Sequence, residues 1–88
     1  MNSEIFLLLS AESTHLIMKL DHVLKEHSIP ARVIPLPTEI KASCGLSIKT
    51  DLKYLQEIHS ICIEENIEIS YFTGEKVGFK KTFIPLTF

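Results

Sequence analysis

The sequence predicts an α+β domain whose elements run β-α-β-β-α-β. Three observations predict it. An unbroken apolar run, "IFLLL", fills residues 5–9, and two stretches, 11–27 and 51–65, repeat apolar residues at helical spacing. Prolines and polar turns then separate short segments of strand character from those helical stretches.

The first strand, residues 4–9, shows almost no alternation, so it should lie centrally with both faces covered. Ser10 is the expected N-cap of a helix over 11–27, in which Leu16, Ile17, Leu20, Val23 and Leu24 form one apolar stripe. Ser28-Ile29-Pro30 ends it, because proline cannot continue the hydrogen-bond ladder. Residues 31–36 read as a second strand, and Pro35 within it argues for a sheet edge. A loop over 37–43 leads to a third strand, 44–49, with Cys44, Leu46 and Ile48 on one face. Thr50 is the expected cap of the second helix, 51–65, with Leu55, Ile58, Ile61 and Cys62 as its stripe, and Asn66 suits its C-terminal stop. Residues 67–72 complete the unit as a fourth strand. This order is the ferredoxin-like arrangement, a four-stranded antiparallel sheet with two helices on one face. Residues 1–73 form the domain, and 74–88 are an apolar C-terminal extension expected to cover the open sheet face or pair with a second subunit as a homodimer.

Composition narrows the functional classes. Eighty-eight residues make one domain, 45% hydrophobic residues support a core, and a net charge of −2 with mixed signs gives no electrostatic footprint for nucleic acid. The only basic cluster in the sequence is Lys76 with Lys80-Lys81, and the middle strand lacks the aromatics that base stacking uses. No apolar run reaches the ~20 residues of a membrane span. The first ten residues lack a basic n-region and read as a strand, not a signal peptide. Two cysteines without metal-ligand spacing favour a reducing, cytoplasmic setting. His15 and His22 share a helical face but have no third ligand, so no metal or other cofactor is expected.

The candidate chemistry is a single thiol. In the predicted topology Cys44 starts the third strand beside the end of the first and the turn Ser10–Thr14. A helix N-terminus presents unpaired N–H groups and partial positive charge, both of which stabilise a thiolate. Ser10, Ser13 and Thr14 are therefore supporting candidates, Gly45 would allow close approach, and Lys41 and Arg32 would add positive charge against Glu12 and Glu39. The competing reading is equally physical: Cys44 points with Leu46 and Ile48 toward the core, where unpaired cysteine acts as a small hydrophobe. Cys62, inside a helical stripe, reads as structural.

The segment "PLPTEIKASCGLSIK" resembles the selenium/sulfur carrier protein-like family of short domains, through Ile29-Pro30, Pro35, Pro37 and the I-x-A-x-C-G-L residues Ile40, Ala42, Cys44, Gly45 and Leu46. The likeness in layout covers about residues 4–72. In the family pattern a basic residue commonly follows the second proline and a small hydroxyl residue precedes the alanine, where this chain has Thr38 and Lys41. The resemblance implies that Cys44 carries a persulfide or selenium adduct between a donor, such as a cysteine desulfurase or selenium-delivery protein, and an acceptor protein. It implies a carrier without turnover of its own. The alternative from the residues alone is an interaction or regulatory module with Cys44 structural.

Overall fold

The computed structural model describes residues 3–87. Two helices and five strands follow one another as β1 (Ser3–Ser10), α1 (Thr14–Glu26), β2 (Ala31–Pro35), β3 (Leu46–Thr50), α2 (Leu55–Glu65), β4 (Ser70–Val77) and β5 (Lys80–Leu86). The strands form one antiparallel sheet in the order β2-β3-β1-β4-β5. The expected four-stranded sheet is thus a five-stranded one. Residues 74–77 continue β4, and a turn at Gly78, whose φ is +60°, returns the chain as β5 along the outer edge.

β1 is central, and its unbroken apolar run has the expected consequence. Leu7, Leu8 and Leu9 are fully buried, alternately on the two faces. Leu7 and Leu9 join Ile48, Tyr71 and the stripes of both helices in the main core. Phe6 and Leu8 face the other way, into a smaller cluster with Ile40, Ile34, Leu36, Phe72 and Phe83. That second face is closed in part by the 36–40 loop and in part by Phe83 of β5. The ring of Phe83 meets that of Phe6 edge-on at 6.1 Å, across Gly74, and a Cβ on Gly74 would overlap the Phe6 ring carbons. Glycine at this point lets the aromatic pair close over the backbone.

The helix boundaries differ from the sequence reading for identifiable reasons. Ser10 stays in β1, paired with Ser47 on one side and Ser70 on the other, so it cannot cap α1. Ser13 takes that role, with extended dihedrals and its Oγ accepting from the Leu16 N–H at 3.2 Å. Thr50 likewise remains in β3, donating to the Pro30 carbonyl at 2.7 Å, and Asp51 caps a 3-10 turn that leads into α2. Asn66 closes α2 in the left-handed conformation, φ 57°, as expected. The Ile67 N–H is then spent on the Cys62 carbonyl at 2.9 Å, which delays β4 to Ser70.

Candidate functional site

The end of the sheet where β1 stops and β3 starts collects most of the predicted site. Cys44 stands in a bend two residues before β3, 3% exposed, as part of the main core. Its sulfur accepts the backbone N–H of Leu46 at 3.3 Å and faces the Thr14 hydroxyl, in the first turn of α1, at 3.5 Å. A thiol proton in turn has the Leu46 carbonyl at 3.6 Å. The sulfur therefore has donors on two sides for the anionic form and an acceptor for the neutral form. Ser43 ties the bend to the helix start, donating to Glu12 at 3.2 Å.

The supporting residues divide. Thr14 touches the sulfur, whereas Ser13 serves α1 as its cap. Ser10 is buried in the β1 pairing, with its side chain on the face opposite the helices. Gly45 is exposed, a Cβ there would meet nothing within 4 Å, and its carbonyl accepts from Leu36 at 2.9 Å. The bend before β3 turns Cys44 inward beside an unobstructed glycine. Lys41 is exposed on the loop and lines, with Ser10 and Ala42, an open cavity of about 600 Å³ that reaches along the start of β4 to α2. Arg32 is not brought to this end: it pairs with Lys49 near the far end of β3 and lies on the other face of the sheet.

The sequence reading missed a second polar group on the wall of that cavity. Cys62 of α2 shares a hydrogen bond with the Tyr71 phenol, and the His59 ring meets Tyr71 edge-on at 5.8 Å. Burial pushes the Cys62 thiol up from its ordinary range. Burial first, and then Cys62, push the Tyr71 phenol up as well. The i, i+3 spacing of His59 and Cys62 was the available signal, but only the packing of α2 on β4 brings Tyr71 to it. Among the described residues no three His, Cys, Asp or Glu side chains gather as a metal site, and no helix is long and apolar enough to cross a membrane.

An antiparallel α+β sheet with a thiol held between a helix start and a backbone N–H defines a small thiol-bearing domain. More narrowly, the chain belongs to the family described as "Putative Se/S carrier protein-like", whose model matches residues 6–73 and so includes Cys44 and all of the first three strands except the start of β1. No curated protein and no solved structure matches the chain.

Proposed function

We propose that the protein is a sulfur or selenium carrier working through Cys44, on a ferredoxin-like frame extended by β5. The observation that carries this reading is the pair of donors on one sulfur, Leu46 N–H and Thr14 hydroxyl, inside the segment matched by the carrier family. In the loading step the Cys44 thiolate attacks the terminal sulfur of a donor's persulfide. A bond forms between the two sulfurs, the donor's own S–S bond breaks, and the donor departs as a thiolate. Cys44 then bears the persulfide, and an acceptor nucleophile attacking the terminal sulfur returns the Cys44 thiolate. Neither step consumes an oxidant or needs a resident cofactor. The donors on the sulfur serve the anion before loading and after delivery, and the open side at Gly45 gives the partner's backbone room to approach. A cysteine desulfurase or selenium-delivery protein is the fitting donor, an acceptor protein the fitting recipient, and the cytoplasm the fitting compartment for a thiol that must stay reduced.

The test is mass spectrometry after incubation with a cysteine desulfurase and cysteine. A gain of about 32 Da, one sulfur atom, on the Cys44 peptide is expected, and it should vanish in Cys44→Ser. Absence of the adduct with an active donor overturns the reading.

A second reading is favoured by a specific observation, the 3% exposure of Cys44. In it the thiol is structural and the protein is an interaction module, with the β4–β5 hairpin as the contact to a second copy or another partner. Phe79 at the hairpin tip and Ile84 on β5 are exposed there. Thiol labelling of the native protein separates the two: a carrier requires Cys44 to react faster than Cys62, and equal rates establish the interaction module.

A further inference from the structure

The sheet face turned away from the helices carries an electrostatic arrangement that the fold itself does not need. Register places Arg32 directly opposite Lys49 across β2–β3, and Lys76 directly opposite Lys81 across β4–β5. Both pairs point to the same face as Phe6 and Leu8. Like charges directly opposite on neighbouring strands destabilise a sheet, and here two such pairs share one face of a chain whose net charge is −2. The one carboxylate among them is Glu4, directly opposite Lys76 across β1–β4 and held by Lys49 at 2.8 Å, so a single negative charge faces four cations. Among the described residues Arg32, Lys76 and Lys81 have no ion-pair partner within 4.0 Å.

These cations also enclose a space. Lys49, Lys76 and Lys81 line a cavity of about 80 Å³ whose floor is Phe6, Leu8 and Phe83, closed on the loop side by Pro37. Lys49 reaches it over the Phe6 ring, with its Nζ 4.5 Å from the centroid. At ~30 Å³ per liquid water, such a volume holds two or three waters or one small oxyanion, and not a peptide strand. Lysine ammoniums are compact point charges suited to phosphate oxygens. A second, larger opening of about 440 Å³ shares Lys49 and Phe6 with this cavity and is lined by Arg32 together with Glu4 and Asp51, so the uncharged part of a molecule carrying the oxyanion has room beside it.

We propose that the Lys49–Lys76–Lys81 cavity on the helix-free face of the sheet binds a phosphate-type oxyanion, free or as part of a nucleotide. An anion there relieves the Lys76–Lys81 pair and adds a second negative charge beside Lys49, which Glu4 alone now holds. The site lies on the opposite face from Cys44 and stands or falls independently of the carrier reading.

Calorimetric titration and thermal melts of the full chain test it, with inorganic phosphate compared against chloride at matched ionic strength and pH 7. Saturable phosphate binding and a melting temperature above that in chloride are expected. Lys76→Gln and Lys81→Gln should each weaken phosphate binding about tenfold, the loss of one strong charge-assisted contact. Without phosphate Lys81→Gln should melt no lower than the wild type, because it removes one member of a repelling pair, whereas Lys76→Gln also gives up the attraction to Glu4 opposite it. Adenosine monophosphate separates the sources: tighter binding than phosphate identifies a nucleotide, and equal or weaker binding the free ion. Equal stabilisation by chloride reduces the effect to general screening and overturns the site, as does phosphate binding undiminished in both variants.

Discussion

The Thr14 hydroxyl stands 3.5 Å from the Cys44 sulfur, joining the first turn of α1 to the bend before β3 across 30 positions of sequence. The Leu46 N–H reaches the same sulfur from two residues away. One donor is thus local and the other comes with the packing of the helix. The local one is backbone and survives any side-chain change. The other can be removed alone.

Thr14→Val keeps the shape and deletes the hydroxyl. A hydrogen bond of this kind is worth about 1 kcal/mol, so persulfide loading of Cys44 should slow roughly fivefold. The urea midpoint should move little, since Thr14 is exposed and the Ser13 cap is untouched. The rate of appearance of the adduct by mass spectrometry is the measurement. A loading rate equal to the wild type would show that Leu46 alone serves the sulfur.

Gly74 is the tightest point of the second face. Gly74→Ala puts a methyl group into the ring of Phe6, which Phe83 and Lys49 hold from two other sides. Overpacking of this sort costs about 1–3 kcal/mol, read as a lower urea midpoint. In a Phe6→Leu background the same alanine should cost less than half as much, because the branched side chain leaves the space that the ring fills. Additive costs in the double variant would mean that the strain lies in the backbone and not at the ring.

The parts of this structure that were legible in the sequence are those set by local periodicity. The run through Leu7, Leu8 and Leu9 announces burial on both faces whichever strands cover it, and the stripe from Ile17 to Leu24 announces its helix. Asn66 announces its own left-handed stop. What pairing decides was hidden. Ser10 has every chemical qualification of an N-cap, yet two neighbouring strands hold it in the sheet and pass the role to Ser13. Lys80 to Leu86 contains two lysines and a proline and reads poorly as a strand. It becomes one because the turn at Gly78 lays it on β4, with Pro85 tolerated at the sheet edge. Arg32 could not be placed from the chain alone, because only the β2–β3 register reveals that it faces Lys49 and not the thiol. The neighbourhood of Cys44 was legible from topology, and its inward direction, shared with Leu46 and Ile48, was the competing expectation that its 3% exposure now meets.

Cys62 and Tyr71 give the fold an alkaline limit. Burial raises both groups above their ordinary ranges, and each is neutral when protonated. In the unfolded chain the thiol loses its proton near pH 8.5, whereas in the folded chain it holds on longer. The folded state thus binds more protons than the unfolded state once pH passes the ordinary thiol range. The stability contributed is full below that range and is lost as pH rises through it, by up to ~1.4 kcal/mol per pH unit for each group involved. Urea midpoints should therefore hold steady from pH 7 to 8 and fall between 9 and 10. Cys62→Ala lowers stability at pH 7 through the small void it leaves, but it should flatten the fall above pH 9, where the thiol no longer contributes. Native Cys62 should also alkylate slowly throughout, which makes it the internal reference against which Cys44 is measured. An alkaline fall equally steep in Cys62→Ala would assign it to Tyr71 and remove Cys62 from the account.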